Sequence, residues 1–264
     1  MLFRNIQKKS SRIKLLVNKK NKGYGYSLNK GFANANGDIL CRLDPDDKLK
    51  ENALELMVNA HFLDEGLALV YSTHYKCDEK LNIVSVSDYV GPIPNSETYL
   101  TFKNNYHNNI SQFATFKKKF YLKTSGVNPK FKRAVDKDLY YKLEEVGKTL
   151  FIPEAFYYYR HHPGSISLFK NELKARLWEM KAKENAYKRR LDTDIKNITL
   201  TNVRENYIFI YKKLVFSALK NRHYYAYVKY LLLLGKYLKA KHFIRFCYYS
   251  MKKTIFPKAF VTND

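Results

Sequence analysis

The sequence predicts an α/β domain built on one open sheet, followed by a helical appendage. Three observations carry this. Over about residues 13–167, short apolar runs bounded by turn residues alternate with amphipathic stripes. The run Ile39–Leu43 ends abruptly in Asp44, Asp46 and Asp47, and open α/β sheets bind ligands beyond the carboxyl ends of their strands. From about Leu168 onward the strand-like runs stop and long charged or aromatic helical stripes take over.

Composition narrows the classes. The 264 residues are 45% hydrophobic, which suffices for a core and excludes global disorder. A net charge of +24, from 48 Lys and Arg against 24 Asp and Glu, implies an anionic partner: nucleic acid, a phosphorylated ligand or an acidic membrane. Cys41, Cys77 and Cys247 are isolated and suggest neither a zinc site nor a disulfide framework. No signal peptide is visible, and no apolar stretch is long enough to span a bilayer.

Taken in order, residues 1–12 read as a basic helix end or arm, and Ile13–Val17 as a short strand. Asn18–Tyr26 is a turn-rich loop whose Gly23 and Gly25 let the backbone approach a phosphate or simply join strand to helix. Ser27–Ala35 is helical, stopped by Asn36-Gly37. In the next strand Ile39, Cys41 and Leu43 alternate toward a buried side. If the chain stays extended through Pro45, Asp44 and Asp46 share a side. That is half of a hard-cation site, or a cap on the next helix. Leu54, Met57, Val58, His61 and Phe62 mark an amphipathic helix on which His61 is packed.

Ala68–Ser72 is the next strand, and residues 73–110 read as irregular and polar. Phe113–Phe116 is a strand and Phe120–Thr124 a short helix closed by Gly126. Leu139, Leu143 and Val146 define a helix with Asp136 at its N-terminus, an N-cap on spacing alone. Leu150–Ile152 is a strand ending at Pro153, and Tyr157–Ser165 ends in a basic turn suited to phosphate. Leu168–Leu191, the stripe Tyr207–Ala218 and the run Tyr224–Tyr249 are helical; lysines disqualify the last as a membrane span. No acid occurs between Glu205 and Asp264. That suits either a surface lying on anionic lipid or an appendage whose basic side is solvated.

Together these pieces resemble glycosyltransferase family two. The matching residues are Asn21-x-Gly23, Asn29-x-Gly31, Ala35-x-Gly37-Asp38 and Leu43-Asp44-Pro45-Asp46-Asp47, then Val135-Asp136-Lys137-Asp138-Leu139, then Tyr159-Arg160-x-His162 with Ser165 and Ser167. The resemblance is to bacterial members that build lipopolysaccharide or capsule. It implies a three-layer GT-A domain over residues 1–167, with a basic helical region over 168–264. Val135 stands where the family has Glu. The family's opening strands, which bind nucleotide base and ribose, have no counterpart here, so an N-terminally truncated domain is expected.

The resemblance implies inverting transfer from a nucleotide sugar, a UDP-sugar first, to a glycan or lipid-linked acceptor. Asp136 is the implied general base. Asp44 and Asp46 hold magnesium or manganese against the donor diphosphate, steadied by Arg160 and His162, while Asp47 orients its neighbours or caps the following helix. The polar stretch 91–112 belongs to the acceptor site. The expected location is cytoplasmic, peripheral on the inner face of the plasma membrane, with no nucleic-acid partner. The alternatives are an inactive truncated remnant at the membrane, a basic nucleic-acid-binding protein, and a glycoside hydrolase using Asp44 and Asp136.

Overall fold

The computed structural model describes residues 10–94, 97–100, 110, 112–168, 171–191 and 200–255, and the chain divides into two compact units, Met1–His162 and Pro163–Asp264. In the first unit α1 (Tyr24–Asn34) leads to β1 (Ile39–Cys41), β2 (Lys48–Leu49) and α2 (Ala53–Ala60). Then follow β3 (Leu67–Cys77), β4 (Ile83–Val86), β5 (Ala114–Lys117), α3 (Lys118–Tyr121), α4 (Val135–Glu144) and β6 (Lys148–Arg160). The sheet runs β1-β5-β3-β6-β2, with β4 paired to β3. Both β1 and β3 are antiparallel to β5, and β3 is parallel to β6. Hence β1, β3 and β6 point the same way, and their carboxyl ends share one edge.

Each sheet face is covered. Ala53, Met57 and Ala60 of α2 pack with Val70, Phe113, Phe156 and Tyr157, and Cys41 joins them. Elsewhere Phe32 of α1 meets Phe116 and Tyr121 edge-on, with ring centroids 5.2 and 5.4 Å apart, the geometry aromatic quadrupoles favour. Gly25 lets α1 approach closely, since a Cβ there would lie 2.8 Å from the Asn128 carbonyl oxygen. Asn29 fastens the same contact. Its Nδ2 donates to the Val127 carbonyl, and its Oδ1 accepts from the Val127 amide and the Tyr121 hydroxyl.

Several sequence expectations are corrected. Ile13–Val17 forms no strand. In β1 it is Leu40 that is buried, with Ile39 and Cys41 half-buried, and Leu43 is exposed; a strand covered on both faces obscures simple alternation. Residues 73–110 are not wholly irregular, because β3 continues to Cys77 and β4 follows. β6 does not stop at Pro153. Its pairing with β3 jumps from Ser72↔Ile152 to Thr73↔Ala155, so Pro153 and Glu154 bulge out, which relieves the ladder of a residue without N–H. The acceptor stretch 91–112 lies largely outside the described residues.

The second unit contains α5 (Glu172–Leu191), α6 (Leu200–Lys220), α7 (Tyr224–Gly235) and α8 (Ala240–Ile255). The expected single run from Tyr224 to Tyr249 is two helices. Gly235 closes the first where the Phe243 ring comes within 3.3 Å of a Cβ position. The core gathers Met180, Tyr207, Tyr211, Leu214, Val215, Tyr230 and Leu234. Tyr207 stacks on Tyr237 with centroids 4.6 Å apart. Among the described residues no helix is long and apolar enough to cross a membrane.

Two buried imidazoles give the first unit a pH dependence. His61 sits with Nε2 2.9 Å from Thr115 Oγ1, and burial, then Lys117, push its pKa down to about 4. Burial, then Lys76 and His161, push His74 down to about 3. The unfolded chain therefore takes up protons near 6.5 that the folded chain refuses. Stability is full above that pH and falls as pH drops from about 6.5 toward 4, by up to about 1.4 kcal/mol per pH unit for each histidine. Urea unfolding followed from neutral to acid pH should show this decline. Asp47, which burial raises to about 6, works the other way between pH 6 and 4 and offsets part of the fall. His61→Gln, which can still bond Thr115, should therefore flatten the decline by half or more, and an unchanged slope would remove His61 from the account.

Candidate active site

The chain leaves β1 as Arg42-Leu43-Asp44-Pro45-Asp46-Asp47 and re-enters the sheet as β2, antiparallel to the end of β6 (Lys48↔Tyr158). This loop therefore joins the two end strands of the sheet order, and each of its carboxylates has a different partner. Asp47 is clamped by β6, accepting from the Tyr157 hydroxyl at 2.6 Å and the Arg160 amide at 2.8 Å. Burial raises its pKa to about 6 against the pull of those two bonds. Asp47 thus orients the loop. Asp46 is part-exposed, with Oδ2 2.9 Å from His162 Nε2 just beyond β6. Asp44 accepts from the Tyr24 hydroxyl at 2.7 Å through Oδ1 and from Arg42 through Oδ2.

Arg42 is the centre of the site. Its Nη1 reaches Asp44, and its Nη2 donates to Asp136 Oδ2 at 2.7 Å. One guanidinium thereby joins two carboxylates separated by 92 residues of chain. Burial opposes its charge, but Asp136, Tyr24, Tyr140 and Asp44 hold it more firmly protonated than usual. Asp136 enters at the first turn of α4, after Ala134 in the left-handed region (φ 51°). A non-glycine residue there stores backbone strain, which tends to collect at functional positions. Val135 is 1% exposed, so an apolar side chain suits the position where the family has Glu. Asp138 is structural, paired at 2.7 Å with buried Lys142.

Of the residues singled out by sequence, Asp44 and Asp136 are brought together through Arg42, and Asp46 and His162 form a direct pair. Arg160 contributes its amide to Asp47, while its guanidinium points to the Glu79 carbonyl at 3.3 Å. Sequence reading missed Arg42, Tyr24 and Tyr157. Arg42 did leave a signal: it stands two residues after Leu40, on the same side of the strand, and a charge there needs counterions.

Among the described residues no group of three or more His, Cys, Asp or Glu is poised around one point. A divalent cation bound beside a phosphorylated ligand takes much of its coordination from phosphate oxygens and water. Asp46 with His162 fits that demand, because both are accessible and the remaining positions suit phosphate oxygens and water.

A mixed sheet with helices on both faces, closed at one edge by an acidic strand end and a helix-borne carboxylate, is the architecture of GT-A glycosyltransferases. Residues 2–124 match the family described as Glycosyl transferase family 2. The chain is 31% identical to chondroitin synthase of Escherichia coli over 172 residues, 65% of this chain and 23% of that protein. It is 31% identical to hyaluronan synthase of Pasteurella multocida over 133 residues, 50% of this chain and 13% of that protein. The chain thus spans less than a quarter of the length of these curated relatives. A crystal structure of S. aureus TarS aligns with a TM-score of 0.50 at 15% identity, over 96% of this chain and 45% of that one, which speaks for the fold. The family match over residues 2–124 and the synthase relatives together support a family-two glycosyltransferase in the first unit.

Proposed function

We propose that the chain moves a sugar from a nucleotide-diphosphate sugar, a UDP-sugar first, to a glycan or lipid-linked acceptor with inversion. The proposed setting is cell-surface polysaccharide synthesis at the inner face of the plasma membrane. The observation that carries this reading is the Arg42 fork, which sets the acidic strand end against the α4 carboxylate. Two relatives named for the polysaccharides they make support it.

In this mechanism Asp136 accepts the proton of the acceptor hydroxyl as that oxygen attacks the anomeric carbon from the face opposite the leaving diphosphate. A divalent cation, magnesium or manganese, bound at Asp46 and His162 would neutralise charge developing on the departing nucleotide. The family pattern adds Asp44 to that ligand set, and here its two oxygens rest on Tyr24 and Arg42. Arg160, whose guanidinium here meets the Glu79 carbonyl, would have to turn from it to add positive charge on the diphosphate side. A hydrolase pair needs one carboxyl to donate its proton, whereas Asp44 and Asp136 both accept from one guanidinium.

The test is thermal unfolding with manganese and UDP. A ligand that binds only the folded state stabilises it by about 2.7 kcal/mol at a hundred times its Kd. The melting temperature should rise, and His162→Ala should abolish most of the rise. No shift in the unsubstituted chain would overturn the donor-site reading. Transfer from UDP-sugars to candidate acceptors, with the product's anomeric configuration read by NMR, then tests inversion.

A further inference from the structure

The outer faces of α7 and α8 are neither core nor ordinary solvated surface. Inward, α7 buries Tyr230 and Leu234, and α8 buries Ser250, whose hydroxyl meets that of Tyr227 at 3.0 Å. Outward, Ile244, Tyr248 and Met251 are spaced i, i+4, i+7 and are 67%, 65% and 50% exposed. On α7, Tyr225, Val228 and Leu232 follow the same logic and are 86%, 51% and 66% exposed. A helix packed on one side normally turns polar residues outward. These two turn apolar ones outward, with exposed Lys229, Lys236, Lys241 and Arg245 among them, and no acid lies between Glu205 and Asp264.

We infer that α7 and α8 form a docking surface for anionic lipid, with Ile244 and Tyr248 of α8 entering the headgroup boundary. The inference deepens the membrane-side setting proposed above and rests on it, but it does not depend on the transfer chemistry. The surface chemistry selects the occupant. A second copy would bring one acid-free basic face against another, which repels. Single-stranded nucleic acid would use the tyrosines for stacking but has no use for exposed Ile, Val, Leu and Met. An interfacial bilayer uses all of them: aliphatic side chains enter the acyl boundary, tyrosine rings lie at headgroup depth, and lysine and arginine meet anionic headgroups.

The test is flotation of the full chain with vesicles of phosphatidylcholine alone or mixed with phosphatidylglycerol. Binding should require the anionic lipid and weaken with salt. Ile244→Ser with Tyr248→Ser should lower the partition coefficient about tenfold or more, at an unchanged melting temperature. Lys241→Gln with Arg245→Gln should lower it about fivefold per charge on anionic vesicles. Failure of the unsubstituted chain to float overturns the inference, as does wild-type flotation by the Ile244/Tyr248 variant. Retention on single-stranded RNA that exceeds vesicle binding at equal salt, and survives the apolar substitutions, assigns the surface to nucleic acid instead. The manganese and UDP melting shift is read on the same samples. A chain that floats without shifting keeps the lipid surface and loses the transferase reading, and one that shifts without floating does the reverse.

Discussion

Asp136→Asn is expected to reduce sugar transfer by about 10²- to 10⁴-fold, the usual contribution of a positioned general base, while leaving the fold and donor binding close to wild type. The amide keeps an oxygen where Asp136 Oδ2 accepts from Arg42 Nη2, so the fork retains both of its partners. What the amide cannot do is take a proton from the acceptor hydroxyl. The loss should therefore appear in turnover, with the manganese and UDP melting shift preserved. Initial rates at saturating donor, measured beside that shift, separate the two. Near-normal turnover would remove Asp136 as base, and a lost shift would show that it holds the donor instead.

The residues behind this prediction were legible because the family motifs occur in order: the acidic strand end, then the helix-borne aspartate, then Tyr159-Arg160-x-His162. The helices were legible from apolar spacing, but on α2 the buried face is Ala53, Met57 and Ala60, while Leu54 and Phe62 of the expected stripe are exposed and His61 lies just past the helix end. The full lengths of β3 and β6 were not. Their outer halves, around His74–Lys76 and Tyr157–Tyr159, are polar or aromatic, and in β6 that half follows Pro153, which sequence rules read as a stop. The parallel pairing absorbs that proline in a bulge, a tertiary solution with no local signature. The Asn29-x-Gly31 motif matched the family pattern without disclosing its work here, which is to bind the loop at Val127 that leads toward α4. The partners of Arg42 were hidden for a related reason. Tyr24 and Asp136 are 18 and 94 residues away, and no spacing rule connects them.

Arg42→Gln is expected to lower the stability of the first unit by roughly 3–5 kcal/mol, the range for removing one partner from a buried ion pair, and to abolish transfer. The Arg42 side chain is 10% exposed, and its carboxylate partners are 27% and 22% exposed. Without the guanidinium, Asp44 and Asp136 face each other with no intervening cation, and their repulsion adds to the loss of hydrogen bonds. At about 2–4 °C per kcal/mol for a unit of this size, the melting temperature should fall by on the order of 10 °C. Arg42→Lys should fall between, because an ammonium is a point charge and cannot hold two carboxylates in one planar fork. The decisive comparison is the double variant Arg42→Gln with Asp44→Asn. If the cost arises from uncompensated charge, removing Asp44's charge should restore part of the stability, with a coupling of about 0.5–3 kcal/mol, yet transfer should stay lost because Asp136 is no longer held against the acidic strand end. A double variant as unstable as the sum of its parts would show that Arg42 acts by packing alone, and a fully active Arg42→Gln chain would dismiss the fork as the organising element of the site.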